Sequence, residues 1–336
     1  MQFGVGLPTC REGAAYPTAY VRPSDFARIA RRAEALGFHS LWANDHLTTP
    51  RVIQATLDRP PRFYEPLVTF ASLVGVTERL RFVLSVVVLP GREPVLLAKQ
   101  IATLDDLTGG RVVLGVGLGA YREEFESVHP GLAGANRGAM LDEGIHALRR
   151  LLDDPPPVSF EGRYLAFRNI ELAPRPQQQP FPVYVNADSD VGLDRVARLG
   201  DGWIASAQTP AGLVKARAAL AERGSAAGRD PAAISVNVQI WVSLGRDRSE
   251  AEARLRRSQH LRRLLAARPS PDERVVLDEF AGRNLLGSPD EVRAQLHAFE
   301  QAGADHVGLI FLGQTIDELL ADLDLFAERV LPDFPS

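Results

Sequence analysis

Asp45 and His46 stand side by side where a short apolar run, Leu41-Trp42-Ala43, gives way to polar residues. An imidazole gains or loses a proton near neutral pH, and a neighbouring carboxylate either fixes its tautomer or caps the next turn. A second apolar run, Val112-Val113-Leu114, ends in Gly115-Val116-Gly117-Leu118-Gly119. Such glycines let backbone approach a flat ligand where a side chain would collide, and they also end strands for purely structural reasons. A third run, Val183-Tyr184-Val185, leads into Asn186-Ala187-Asp188-Ser189 and a helix starting near Val191. Free amides at that helix start, with the Ser189 hydroxyl, make a phosphate seat, unless Asp188 or Ser189 only caps its own helix. A carboxylate aimed at phosphate repels it, so Asp188 is expected to turn toward the helix or toward a ligand hydroxyl.

These groups work together only if the fold gathers them. The apolar runs are short, continuous and rich in β-branched residues, as in parallel strands covered on both faces. Strand candidates begin near Gln2, His39, Arg81, Arg111, Pro182, Gly202, Ile234 and Asp305, each followed by a helical segment. Phe26, Ile29, Ala30, Ala33 and Leu36 make one helical stripe, with Ser24 as N-cap and Gly37 past its end. Leu141, Ile145, Leu148 and Leu152 make another. Eight such units predict an α/β fold, a closed (β/α)8 TIM barrel, in which strand ends converge on one mouth. An open dinucleotide-binding sheet needs a glycine-rich turn after its first strand, and here that strand runs into Leu7-Pro8-Thr9-Cys10. One domain over 1–336 is expected, with insertions at the mouth near 45–62, 153–180 and 245–286. The second insertion is expected to hold a hairpin at 158–172, and the third a charged helix at 249–267 serving as a solvated lid or outer face. The seventh strand alternates, so Asn237, Gln239 and Trp241 are expected to point into the barrel, where Trp241 either walls a ligand or plugs the top.

The net charge is −4 and no Lys/Arg run stands out, which argues against nucleic-acid or anionic-membrane surfaces and for a small-molecule partner. Lys99 and Lys215 are the only lysines, so arginines, hydroxyls or amides must hold any anionic ligand. Cys10 is the sole cysteine, which excludes an internal disulfide and multi-cysteine metal sites and fits an intracellular compartment. The 7 histidines show no paired metal-binding spacing, so no metal is expected. The opening residues read as a strand, and no apolar run has membrane-spanning length, so a soluble cytoplasmic protein is expected.

A set of strings then points to a family: WANDHL at 42–47, LPGREPVLLAKQ at 89–100, LDDLTGGR at 104–111 and LGVG at 114–117. REEF at 122–125, PRPQ at 174–177, GDGW at 200–203 and GSPDEV at 287–292 follow in order. Together they resemble the bacterial luciferase-like superfamily over nearly the whole chain, and lean toward the branch that uses the deazaflavin coenzyme F420. The resemblance implies a flavin or deazaflavin at the C-terminal mouth, with the insertions closing over substrate. It puts Asp45 and His46 near the reactive ring, and Ser85-Val86 at the position of a non-proline cis peptide in a bulge of the third strand. Ser85, Val86, Gly117, Asn186, Ala187, Asp188 and Ser189 are its implied cofactor contacts, with Arg92 or Arg137 near the cofactor tail. The implied reaction is hydride transfer between F420 and a small organic substrate, His46 giving or taking the proton. One alternative is a reduced-FMN-dependent two-component monooxygenase served by a separate flavin reductase. Another is a flavin-binding protein without catalysis, and homodimers are common in the family. The chain departs from the family pattern at Ala120, where some sugar-phosphate dehydrogenases of this type carry a proton-donating glutamate. Glu124 is a displaced substitute, and Tyr121, Trp241 and Glu124 are candidate substrate-pocket residues. A sugar phosphate is therefore not implied, and substrate identity stays open.

Overall fold

The computed structural model describes residues 1–335 apart from 56, 58, 207 and 269–271. Its strands are β1 (Gln2–Gly6), β2 (Ser40–Ala43), β3 (Arg81–Val88), β4 (Val112–Gly117), β5 (Val158–Glu161), β6 (Ala166–Ile170), β7 (Val183–Asn186), β8 (Gly202–Ser206), β9 (Ser235–Leu244), β10 (Leu285–Gly287) and β11 (His306–Phe311). The main sheet runs β10-β9-β11-β1-β2-β3-β4-β7-β8, and a further β8–β9 pairing closes it. All these pairings are parallel, so eight strands form the (β/α)8 TIM barrel and their C-terminal ends share one rim. β9 is long enough to serve two partners: its first half pairs with β8 and its last residues with β10. β10 was not among the sequence expectations, because three residues carry no periodicity.

The helices bury their stripes against the barrel. In the helix Arg137–Asp153, Leu141, Ile145, Leu148 and Leu152 are fully buried, each contributing about 1.5–3 kcal/mol relative to exposure. The helix Pro23–Ala35 buries Phe26, Ile29, Ala30 and Ala33, but Ser24 does not cap it. Pro23 opens the first turn with its φ preset, and the Asp25 carboxylate accepts the Arg22 amide at 2.9 Å. A separate small cluster fills the lumen: Trp42, Val83, Val113 and Ile204, joined by Val86 and Tyr184. Cβ atoms at Gly4 and Gly308 would lie 2.3 and 2.4 Å from the Trp42 ring, so those glycines make the space for this plug. The plug closes the barrel below the rim, and chemistry is left to the rim.

The insertions differ in detail from expectation. β5 and β6 form the hairpin foreseen in 158–172, but the insertion joins the end of the helix Arg137–Asp153 to the start of β7 and bonds the first residue of β4 through Gln178, so it lies at the N-terminal end of the barrel and not at the expected mouth. The single charged helix expected at 249–267 is two helices, Arg248–Arg257 and Gln259–Ala266, because the Ser258 hydroxyl accepts the Leu261 amide at 3.1 Å and starts a new helix. The first is charged and outward. The second buries His260 and Leu261, so it is not a solvated face.

Candidate active site

The rim exit of β2 is fixed by hydrogen bonds. Thr9 Oγ1 donates to the Asn44 side chain at 3.1 Å, and Asn44 Nδ2 donates to the Cys10 carbonyl at 3.3 Å. Asp45 has a fully buried side chain, and its Oδ2 accepts from the Val88 amide at 2.9 Å and from Arg92 at 2.6 Å. It therefore ties the end of β2 to the end of β3 and does not reach the His46 ring. The tautomer-fixing carboxylate is Glu124, from the helix Arg122–Val128 that follows β4: its Oε2 lies 2.8 Å from His46 Nδ1. Glu124 Oε1 also accepts the Leu47 amide at 2.7 Å and the Thr48 amide at 3.3 Å. A carboxylate only accepts, so Nδ1 carries the proton and Nε2 keeps its lone pair. Glu124 is buried behind His46 and does not line the cavity beside it.

The glycine exit of β4 has a physical reason in the neighbouring strand. β3 bulges between Leu84 and Val87, and the Ser85-Val86 peptide is cis. A Cβ on Gly115 would lie 2.2 Å from the Leu84 carbonyl oxygen, and one on Gly117 would lie 2.7 Å from Val86 Cγ2. Gly117 thus accommodates Val86 and does not face the cavity, while Val86 and Ser85 do. Ser85 Oγ accepts from Gln239 Nε2 at 3.1 Å, which confirms that β9 turns this side chain inward.

Ser85, Val86, His46, Asp45 and the β7 exit line one cavity of about 780 Å³. Asn186, Ala187, Asp188 and Ser189 form its far wall. Asn186 Nδ2 donates to the Ile204 carbonyl at 2.8 Å, and Asp188 accepts the Ser206 amide at 3.2 Å. Asp188 has turned toward β8, away from the expected helix. The Ser189 hydroxyl accepts the Gly192 amide at 3.2 Å and caps the helix Asp190–Leu199. Arg195 of that helix, 5% exposed, pairs with Asp142 and donates to the Gly138 carbonyl at 3.3 Å. This brings a second helix start, at Asn136 and Gly138, to the same wall. The sequence reading missed Arg195, Asn136 and Gly138; only their spacing from helix starts could have signalled them. Arg92 and Arg137, expected near a cofactor tail, are engaged elsewhere: Arg92 by Asp45, Arg137 by the Leu118 and Gly119 carbonyls at 3.1 and 3.2 Å.

Tyr121 and Trp241 stand behind the cavity wall. The Tyr121 ring centre is 6.0 Å from that of His46, and its hydroxyl accepts from Arg263 at 3.3 Å. Trp241 stacks on His260 at 4.3 Å and carries the Arg11 guanidinium 5.0 Å from its ring centre, so it backs Arg11 from outside the cavity lining. Burial, reinforced by Arg263 and Arg11, pushes His260 down to about 3, so it stays neutral. Among the described residues, no cluster of three His, Cys, Asp or Glu is placed to hold a metal, and no helix is long and apolar enough to cross a membrane.

A closed parallel barrel with a histidine and a bulged third strand at its C-terminal mouth defines a ligand-binding TIM-barrel class. The sequence profile of luciferase-like monooxygenases matches residues 1–306, and the chain belongs to that family. An uncharacterised Mycobacterium tuberculosis protein is 36% identical over 187 residues, which are 52% of this chain and 63% of that relative's length. The F420-dependent glucose-6-phosphate dehydrogenase of Amycolatopsis mediterranei is 29% identical over 324 residues, 92% of this chain and 94% of the relative. Among solved structures, an F420-dependent secondary alcohol dehydrogenase in complex with an F420-acetone adduct superposes with a TM-score of 0.80 at 22% identity, covering 100% of both chains. Monooxygenase RslO1 from Streptomyces bottropensis superposes with a TM-score of 0.82 at 24% identity, again over 100% of both chains.

Proposed function

We propose that the protein is an oxidoreductase that transfers hydride between coenzyme F420 and a small organic alcohol or carbonyl compound. The observation that carries this reading is the His46–Glu124 pair at 2.8 Å, which leaves Nε2 free at the cavity wall. The relatives named for F420 dependence support the choice of cofactor. The residues fit a flat ring with an anionic tail. Val86, on the bulge that Gly115 and Gly117 make room for, offers an apolar ledge; Ser189 and the helix start behind it offer a hydroxyl and amides for a phosphate.

A bound deazaflavin supplies hydride transfer; the chain supplies orientation and a proton route. In the oxidation direction, His46 Nε2 takes the substrate hydroxyl proton while Glu124 stabilises the imidazolium that forms. In reduction, the protonated ring returns it to the carbonyl oxygen. Asp45, clamped by Arg92 and the Val88 amide, holds the two strand ends in register, and His46 and Val86 line the same cavity. Ala120 lines the cavity without an acid, which leaves His46 as the proton-transfer group on that side.

Equilibrium titration with F420 and with FMN, followed by anaerobic turnover, tests this reading. Tighter binding of F420 and oxygen-independent loss of its absorbance, coupled to substrate, are expected. Preference for FMN with a requirement for oxygen and a flavin reductase would instead make the protein a two-component monooxygenase, since this barrel serves both chemistries. Flavin binding without turnover of any alcohol or carbonyl compound would make it a carrier.

A further inference from the structure

Arg11 follows the exit of β1 and lines the cavity with Asn44, His46, Ser85 and Gln239. Among the described residues its guanidinium makes no hydrogen bond and no ion pair, and its Nε is buried without an acceptor. Its contact with the Trp241 face offsets part of the lost hydration. Burial lowers it to about 10, which leaves it charged at neutral pH. The ionisable groups nearest in effect, Tyr16 and Cys10, are both pushed upward by burial, Cys10 to about 12, so neither supplies a negative charge. Glu12, the next residue, accepts the Arg62 amide at 2.9 Å through Oε2; its buried Oε1 has no hydrogen-bond partner, and among the described residues Glu12 makes no ion pair with Arg11.

Arg263 of the helix Gln259–Ala266 stands outside the cavity lining and acts on Arg11 as a like charge. Among the described residues its guanidinium makes one hydrogen bond, to the Tyr121 hydroxyl, and its Nε is also buried without an acceptor. Two other arginines of the site have carboxylates, Arg92 in Asp45 and Arg195 in Asp142, while Arg137 donates to two carbonyls and keeps its Nε without a partner. Two like charges without a carboxylate at a partly desolvated rim are costly unless an anion completes them. In the barrel order β1 lies four strands from β7, so Arg11 is across the mouth from Ser189 and does not belong to that wall. Tyr121 joins Arg263 to the His46 side.

We propose that the substrate is an anion, and that its carboxylate or phosphate group seats on Arg11, with the charge of Arg263 behind it, while its reacting carbon faces His46. Calling this anion the substrate rests on the hydride-transfer reading; the anion seat itself does not. The test is calorimetric titration of the full chain, with and without saturating F420, using butyrate, inorganic phosphate and neutral butyramide as probes. Wild type, Arg11→Gln, Arg11→Lys and Arg263→Gln are compared, with thermal unfolding of each as the check on folding. At least one anion is expected to bind about tenfold more tightly than butyramide, with each Gln variant losing most of that preference and Arg11→Lys keeping part of it. F420 affinity should stay within about twofold in every variant, about 0.4 kcal/mol. Which anion binds better distinguishes a carboxylate from a phosphate substrate. Equal binding of all three probes, or anion binding untouched in both Gln variants, overturns the proposal. So does a parallel loss of F420 affinity in Arg11→Gln, which would put Arg11 on the cofactor. If F420 fails to bind but the anion preference persists in the cofactor-free chain, the cofactor reading fails and the anion seat stands.

Discussion

Glu124→Gln separates the positioning of His46 from every other property of the site. In the wild type, Oε1 accepts the Leu47 and Thr48 amides and Oε2 faces His46 Nδ1. Two amide donors on one side force the Gln carbonyl to stay there, so its NH2 group must face Nδ1. Nδ1 then has to accept, the ring proton moves to Nε2, and the atom that receives the substrate proton becomes a donor. The lost term is the attraction between carboxylate and imidazolium: charges about 4 Å apart at an effective dielectric of about 20 interact by about 4 kcal/mol. That corresponds to about a thousandfold in kcat, with KM and F420 affinity little changed. Long-range nitrogen–proton correlation NMR reads the His46 tautomer directly and needs no substrate; anaerobic turnover reads the rate. The same tautomer in both proteins refutes the argument at its first step, and a kcat within about threefold of wild type refutes it at the second.

Gly115→Ala drives a Cβ to 2.2 Å from the Leu84 carbonyl, so an overpacking loss of about 3 kcal/mol or a failure to fold is expected; an unchanged urea midpoint would show that the bulge can yield. Arg92→Gln leaves the buried Asp45 carboxylate without its cation and is expected to cost about 3–5 kcal/mol in denaturant unfolding, partly restored in the Asp45→Asn/Arg92→Gln double variant. Acid stability follows from buried neutral histidines. Burial lowers His39 to about 4, His260 to about 3 and His306 well below its ordinary value. Their folded values lie below the unfolded value of about 6.5, so their contribution is complete above that pH and is lost as pH falls, about 1.4 kcal/mol per unit for each. Asp322, raised to about 7 by burial, works in the opposite sense and offsets one of them. Urea unfolding between about pH 6 and 5 should therefore lose at most about 2.7 kcal/mol, more steeply in Asp322→Asn; a flat profile contradicts it.

The barrel was legible because its signals are local and repeated. Each of the eight strand candidates starts within two residues of an observed barrel strand, since most are short continuous β-branched runs, the pattern of strands covered on both sides. β10 and the break at Ser258 were not legible: three residues carry no period, and a serine amid arginines reads equally well as a solvated helix position. Asn237 and Gln239 were read correctly as inward-facing from alternation alone, and their hydrogen bonds to the Trp203 carbonyl and Ser85 bear it out.

The site was legible in its backbone and not in its pairings. Sequence adjacency suggested that Asp45 serves His46, yet neighbouring residues at a strand end point to opposite sides. Asp45 consequently turns toward β3, and the carboxylate that meets His46 comes from 78 positions away. The same logic governs the arginines. Arg92 and Arg137 stand out in sequence because they flank recognisable strings, but each has an acceptor in its own neighbourhood: Asp45 neutralises Arg92, and two carbonyls hold Arg137. Arg11 carries no motif; its isolation appears only when β1 and the helix Gln259–Ala266 are brought together with no carboxylate between them. Which charges the fold leaves unanswered at this rim is a property of long-range geometry that no local string records.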